Sequence, residues 1–217
     1  MDALTIAAAS GLRARMQSLD LLANNLANAG TSGYKADQEF YGLYASESDA
    51  GNRMQGGTLP VIERPWTDLS QGLLQSTGSS LDLALSGKGF FTVAGPSGPM
   101  YTRGGTFRVS SEGRLVTAEG YALLKDDGVA LQLDPSKPPE VNTDGWVRQD
   151  GQAIGHLQLA DLGESASVGK VGRNYFRTLD PAAKPAVAAD VQVHQGKLEN
   201  SNVSPAESAV RLVSVMR

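Results

Sequence analysis

The sequence predicts a mainly β protein with an α-helix at each end: an antiparallel barrel- or sandwich-like central domain, with the N- and C-terminal helices forming a coiled-coil stalk. Three features carry this. The chain opens on an Ala- and Leu-rich run without proline. A long middle stretch alternates short apolar segments with Asp-Gly and Glu-Gly turns. Near the C-terminus, Ser204-Pro205-Ala206-Glu207 is a capping box with proline at the first helical position, and apolar residues follow at helical spacing.

The first element is a predicted helix from Leu4 to Ala27, with one glycine, Gly11. Leu12, Leu19 and Leu26 recur at seven-residue spacing, with Met16, Leu22 and Ala23 between them; Arg13, Gln17, Asp20 and Asn24 lie mostly off that stripe. The helix would be roughly 35 Å long. It should stop near Asn28-Ala29-Gly30, where Asn or Gly takes the left-handed conformation that ends helices. Asn24, Asn25 and Asn28 can hydrogen-bond backbone groups or a neighbouring subunit. For Asn28, ordinary helix termination is the alternative. An apolar stripe must be buried, either on the chain's own β domain or on another helix. Seven-residue spacing favours a helical partner, and Val210 and Val213 of the C-terminal helix offer a matching stripe.

From Thr31 to about Gly78 the chain is polar and rich in glycine and proline. Extended loops are expected there, with short strands at Thr58 to Ile62 and Leu73 to Ser76. From Leu81 to about Gln195 short strands dominate. Leu81, Leu83 and Leu85 alternate, which buries one face. Further strands are predicted at Phe90 to Val93, Tyr101 to Arg103, Thr106 to Val109, Arg114 to Thr117, Tyr121 to Leu124, Val129 to Leu133, Trp146 to Arg148 and Gly155 to Leu159. The Asp-Gly and Glu-Gly pairs between them supply the positive φ that tight hairpins need. The resulting division is an N-terminal helix (1–30), an extended polar linker (31–78), a β-rich central domain (79–195) and a C-terminal helical segment (196–217). The last helix ends mid-pattern without a cap, so it is expected to be cut short.

Composition narrows the function. Hydrophobic residues make up 41% of the 217, enough for a packed core, and aromatics only 6%. The net charge of -4 comes without a basic stripe, which argues against nucleic-acid binding. No apolar run is long enough to span a membrane. There is no cysteine, hence no disulfide, thiolate metal site or cysteine nucleophile. Met1-Asp2-Ala3-Leu4 lacks the basic start of a secretory signal, so export would need a route without a cleaved leader.

Catalytic patterns are missing too. His156 and His194 have no ligand-like neighbours in sequence. Gly87-Lys88-Gly89 lacks the spacing of a phosphate loop, and Gly95-Pro96-Ser97-Gly98 that of a nucleophile elbow. Asp126-Asp127 reads as a surface turn rather than a carboxylate pair. Lys88 and Arg103 read either as assembly contacts or as solvated or ion-paired surface charges. Trp66 is a candidate anchor for the linker or an interface. Trp146 is a candidate for the same anchoring role, and its place between two Asp/Gly turns supports a core or half-buried role equally. No enzyme, metal or cofactor is predicted.

The two ends carry a specific resemblance. Asn24-Asn25-Leu26-Ala27-Asn28 followed by Thr31-Ser32-Gly33-Tyr34-Lys35 resembles the N-terminal signature of the flagellar rod and hook axial proteins. Leu198-Glu199-Asn200-Ser201-Asn202-Val203 is similar to the element before that family's C-terminal helix. Gly87-Lys88-Gly89-Phe90-Phe91, Tyr101-Thr102-Arg103-Gly104-Gly105-Thr106-Phe107 and Gly113-Arg114-Leu115-Val116-Thr117 resemble its β strands. By length and small central domain the proximal rod protein is nearest, the distal rod protein next, and the hook protein is usually longer. The family normally continues about a further helix-length beyond Val203.

The resemblance implies a structural subunit of the basal-body rod, spanning the periplasm and exported uncleaved through the flagellar type III apparatus. Its partners would be copies of itself and other rod and hook proteins, with no nucleic acid and no membrane insertion. The residues expected to carry assembly are Leu12, Leu19, Leu22, Leu26, Asn24, Asn25, Asn28, Thr31, Gly33, Tyr34, Leu198, Asn202, Val203, Val210 and Val213. A distal rod or hook-type protein is the alternative within the family. Outside it stands an extracellular carbohydrate-binding or adhesive β domain, for which Trp146 beside Asp144 and Asn142 is the candidate cluster.

Overall fold

The structure, a computed structural model, describes residues 3–39, 41–45, 58–62, 66–163, 168–180 and 185–216. The chain divides into two compact units. One comprises Met1–Ala29, Ala36–Asp68 and Val203–Arg217, the other Gly30–Lys35 and Leu69–Asn202. The segment predicted as a linker is thus shared between them.

The first unit is built on α1 (Ala3–Ala27) and carries the strands β1 (Asp37–Gln38), β2 (Tyr41–Ala45), β3 (Thr58–Ile62) and β4 (Trp66–Thr67). β1 pairs with β4 and β2 with β3, both antiparallel. Helix α1 also runs against β1, β3 and the C-terminal helix of the chain, Pro205–Met216.

The buried side of α1 takes in only part of the leucine stripe, Leu22 and, half-buried, Leu19. Ala14, Ser18, Leu22, Asn25 and Asn28 are buried, spaced three and four apart. Leu12 is 62% exposed, Met16 59% and Leu26 37%, while Leu19 is half-buried. The physical reason is that a polar β1 segment lies beside the helix and selects hydrogen-bonding side chains. Ser18 Oγ donates to Glu39 Oε1 at 2.5 Å. Asn25 Nδ2 donates to Asp37 O at 2.8 Å, and Asp37 N–H donates to Asn25 Oδ1 at 3.1 Å. The Asn25 carboxamide therefore mimics a strand neighbour for β1. Asn28 closes the helix: its N–H and its Nδ2 both reach Asn24 O, at 3.1 and 2.9 Å.

The second unit holds β5 (Leu74–Ser76), β6 (Leu83–Gly87), β7 (Phe90–Gly95), β8 (Gly98–Thr102), β9 (Phe107–Val109) and β10 (Leu115–Thr117). It continues with β11 (Glu140–Val141), β12 (Trp146–Gln149), β13 (Gln152–His156), β14 (Leu159–Asp161), β15 (Val168–Val171) and β16 (Tyr175–Thr178). β17 (Ala186–Val187), β18 (Val191–Gln195) and β19 (Lys197–Glu199) complete it. The largest sheet has the order β15-β16-β8-β7-β14-β17; β11-β12-β13 form a second, and β6 pairs with β18, β5 with β19 and β9 with β10. All of these pairs are antiparallel.

Alternation along β7 gives the large sheet an apolar residue on each face. Phe91 enters the main core with Leu83, Leu85, Val93, Met100, Leu157 and Val193, and its ring meets Phe107 edge-on at 5.4 Å. Phe90 faces the other way, with Tyr101, Ala160, Leu162 and Phe176, and meets Phe176 edge-on at 5.5 Å. Full burial of a phenylalanine contributes about 2–3 kcal/mol. Leu83 and Leu85 are buried as their alternation predicts, and Ala84 between them is buried too, so β6 is covered on both faces. Asp150 and Gly151, with φ of 50° and 77°, form the two-residue turn between Gln149 and Gln152 that an Asp-Gly pair predicts.

The barrel expectation needs correction: among the described residues the strands do not close. Tyr121 to Leu124 and Val129 to Leu133, expected as strands, form single bridges. The reason is a cycle of three hydrogen bonds. Leu115 N–H donates to Leu131 O, Leu131 N–H to Leu123 O and Leu123 N–H to Leu115 O, at 3.0, 2.8 and 2.9 Å. All three leucine side chains turn into the core, so three passes of the chain meet around one point instead of lying in a ladder.

The last helix, α2 (Pro205–Met216), starts at the predicted cap. Ser208 N–H donates to Ser204 O at 3.0 Å and Glu207 N–H to Ser204 Oγ at 3.4 Å. Its covered side is Ser208, Leu212 and Val215. Val210, Val213 and Met216 are 59–69% exposed. The two helices lie together within this unit, but Val210 and Val213, the stripe the sequence suggested for α2, stay exposed.

Candidate functional site

Part of the motifs that carried the family resemblance, the turn Thr31–Lys35, Arg103 and Leu198–Asn202, meets at one place in the β unit. The turn after α1 is closed by Tyr34 N–H donating to Thr31 O at 3.2 Å. Gly33, with φ of 70°, lets the turn press against β8: a Cβ there would lie 2.3 Å from the Arg103 carbonyl carbon. Strand β19 binds the turn from the other end of the chain. Gly33 N–H donates to Glu199 O at 2.7 Å, Ser32 Oγ donates to the same oxygen at 3.0 Å, and Asn202 N–H donates to Tyr34 O at 3.4 Å.

Beneath this backbone contact lies a buried ion cluster. Lys35 Nζ donates to Glu199 Oε1 and to Ser70 O, each at 2.5 Å. Arg103 Nη1 donates to Glu199 Oε2 at 3.0 Å. Gly72 N–H fills a further site on Oε1 at 2.8 Å. The side chains of Lys35, Arg103 and Glu199 are 0–2% exposed. Arg103 is also fixed by Leu85 O at 3.3 Å, by Gly87 O, and by the Phe90 ring, 5.0 Å from its guanidinium carbon. Burial lowers the Arg103 pKa, and the Glu199 carboxylate works against that shift.

The β15–β16 hairpin grips the turn as well. Lys170 Nζ stands 4.0 Å over the Tyr34 ring and donates to Lys35 O at 2.8 Å. Asn174 Nδ2 donates to Ser32 O at 3.1 Å. Asn202 Nδ2 donates to Ser70 O and Oγ. Chemically this is a clasp: the Glu199 carboxylate is held by three donors and shut off from solvent.

The site residues read from sequence fall into two groups. Thr31, Gly33, Tyr34, Leu198 and Asn202 belong to the clasp or its edge; Leu198 lies half-buried in β19, opposite Gln75. Asn24, Asn25, Asn28, Leu12, Leu19, Leu22, Leu26, Val203, Val210 and Val213 belong to the helical unit. Arg103, one reading of which was a surface charge, is buried because β8 ends inside the cluster. Lys35 and Glu199 stood in the quoted motifs but not among the site residues, and Ser70, Gly72, Lys170 and Asn174 gave no sequence signal. Motif membership of a lysine, an arginine and a glutamate of matching charge was the available clue.

Outside the clasp, His156 Nδ1 meets Asp126 Oδ2 at 2.7 Å and Nε2 meets Asp144 O at 2.6 Å. Its ring packs edge-on to Trp146 at 5.3 Å. Trp146 is 42% exposed, with its rim occupied by the histidine rather than bare as a sugar platform would be.

Comparison with known proteins bears on what such an arrangement serves. Residues 7–35 match the "Flagella basal body rod protein" family, and residues 84–154 match the "Flagellar hook protein FlgE/F/G D1 domain" family. The flagellar basal-body rod protein FlgF of Caulobacter vibrioides is 35% identical over 93% of this chain and 82% of its own length. This chain belongs to the flagellar basal-body rod proteins. FlgF of Mesorhizobium japonicum is 32% identical over 97% of the chain and 86% of its own length, and FlgG of Bacillus subtilis 29% over 96% and 88%. On this rod-family chain the two matched segments end at Lys35 and contain Arg103, while Glu199, which joins those two residues, lies outside both.

Proposed function

We infer that this chain is a structural subunit of the bacterial flagellar basal-body rod and polymerises through its terminal helices. The observation that carries the assembly reading is the apolar surface on both helices: Leu12, Met16 and Leu26 on α1, and Val210, Val213 and Met216 on α2, are exposed in the single subunit. Fully covering a leucine contributes about 2 kcal/mol, so copies or sister rod proteins that present matching helices would gain from covering these ridges. Pairing of this kind between subunits is the coiled-coil arrangement that the seven-residue spacing supports. Repeated head to tail, such a contact does not close on itself and builds a filament.

The remaining parts of the reading rest on family membership. The subunit would lie in the part of the basal body that crosses the periplasm, after uncleaved export through the flagellar type III apparatus. A proximal rather than distal position in the rod is favoured by the small central domain. The Asn25 bracket on β1 would keep the helical unit ordered for packing, and the ion clasp would do the same within the β unit.

The test is deletion of the gene and complementation with a triple variant, Leu12→Ser, Met16→Ser and Leu26→Ser. The wild-type gene restores swimming and complete basal bodies. The variant folds as a purified protein yet restores neither. Normal swimming by cells carrying the variant contradicts the reading.

A further inference from the structure

On the side of the large sheet that Phe90 and Phe176 fill, the β unit carries a cleft of about 830 Å³, within the roughly 300–1,000 Å³ usual for ligand sites. Strand register aims its apolar groups. Tyr101 pairs with Phe176 and with Thr92, and Ala160 pairs with Phe90 and with Val187, so Tyr101, Ala160 and Val187 project from one face. The cleft runs from Tyr101, which is buried, to Val187, which is 81% exposed.

Its polar groups are incomplete. Gln158 Oε1 and Arg177 Nε, both on the wall, are shut off from solvent without a hydrogen-bond partner among the described residues. Folded proteins rarely leave buried donors and acceptors in that state. Arg177 also forms no ion pair among the described residues. Asp126, the carboxylate among the lining residues, is engaged by His156 at 2.7 Å. The cleft therefore combines a guanidinium without a counter-charge, an unused carboxamide oxygen and an apolar floor.

We propose that the cleft seats an extended acidic segment of a partner protein chain. A carboxylate of that segment accepts from Arg177, a backbone N–H donates to Gln158 Oε1, and small apolar side chains cover Tyr101, Ala160 and Val187. An inorganic anion would answer Arg177 and leave the apolar floor bare. A basic segment would bring a like charge to the guanidinium. Recognition of backbone by a carboxamide occurs elsewhere in the molecule, where Asn25 brackets Asp37 from both sides. The site belongs to the β unit alone and stands whether or not the helices build a rod.

An NMR titration of the full chain tests it. The probes are valine–alanine peptides, blocked at both ends, with Asp, Asn or Lys at the centre. The Asp peptide shifts the Tyr101, Ala160 and Val187 amides saturably and binds about tenfold tighter than the Asn peptide; the Lys peptide leaves those amides in place. Arg177→Gln erases the tenfold preference. Val187→Asp, at an exposed position on the rim, weakens the Asp peptide about tenfold by repulsion and lost apolar cover. Absence of saturable shifts, equal binding of the Lys peptide, or an unchanged preference in Arg177→Gln overturns the proposal. Should Arg177→Gln not fold, Val187→Asp decides, and an unchanged affinity for the Asp peptide overturns it. Shifts reproduced by acetate alone, or by raising the concentration of the peptide-free protein, assign the cleft to a simple anion or to a second copy and overturn it as well.

Discussion

Lys35 Nζ and Glu199 Oε1 stand 2.5 Å apart across 164 positions of chain, and neither side chain reaches solvent. Such a pair adds little net stability over an apolar filling of the same volume, because desolvation consumes most of the attraction.

The close approach at Gly33 makes glycine obligatory there. Gly33→Ala combines a φ of 70° with a Cβ 2.3 Å from the Arg103 carbonyl carbon, and should destabilise the protein by about 2 kcal/mol or more. Gly11→Ala is the internal contrast. It lies inside α1 with nothing within 4 Å of its would-be Cβ, and should stabilise by about 0.5–1 kcal/mol. Urea denaturation of both variants measures the opposite signs.

Arg103 is not replaceable by another cation. Arg103→Lys keeps the charge but loses the fork that reaches Glu199, Leu85 O and Gly87 O together. We expect a loss of about 3 kcal/mol, close to that of an uncharged replacement. Equilibrium unfolding of Arg103→Lys and Arg103→Met side by side decides it; full rescue by lysine contradicts the geometry.

Asn25 should act locally. Asn25→Ala removes the two-way bracket with the Asp37 backbone and should cost about 1–2 kcal/mol. The Asp37 amide should lose its protection from hydrogen exchange, while amides of the β unit stay unchanged.

A pH signature is expected from Tyr175 and Glu119. The Tyr175 hydroxyl donates to Glu119 Oε2 and to Thr117 Oγ1. Burial, the largest single influence, raises the Glu119 pKa, but the hydrogen bonds from Tyr175, from its own backbone and from Thr117, with the Arg173 charge, together outweigh it, and the net shift is downward from 4.5. A depressed carboxylate contributes stability that is present above its unfolded pKa and lost as pH falls through the folded one. Tyr175 is shifted upward, first by burial and then by Glu119, so its contribution is present below its unfolded pKa near 10 and lost as pH rises above that value. Tyr175→Phe should therefore destabilise at neutral pH and converge on the wild type in acid below the usual glutamate range. Stability curves against pH for the two proteins check this.

Much of the fold was legible locally. α1 spans Ala3–Ala27 against a reading of Leu4 to Ala27, β3 spans Thr58–Ile62 as read, and Ser204 caps α2. These rest on periodicity, turn residues and caps, which act within a few positions. What was not legible acts at a distance. β16 to β19 are short, two to five residues, and each pairs with a strand far away in sequence that sets its register. The leucine stripe of α1 was visible, but which side faces its own unit depended on Asp37 and Glu39 beside it. Arg103 looked like any surface arginine until Glu199 was placed against it.

The central claim is that the exposed ridge of α1 is covered in the assembled rod. The chain contains no cysteine, so single cysteines report cleanly. With Leu12→Cys, maleimide labelling should be fast on the purified subunit and suppressed in isolated basal bodies, while Leu22→Cys, on the buried side, should stay slow in both. Equal, fast labelling of Leu12→Cys in subunit and basal body would contradict the account.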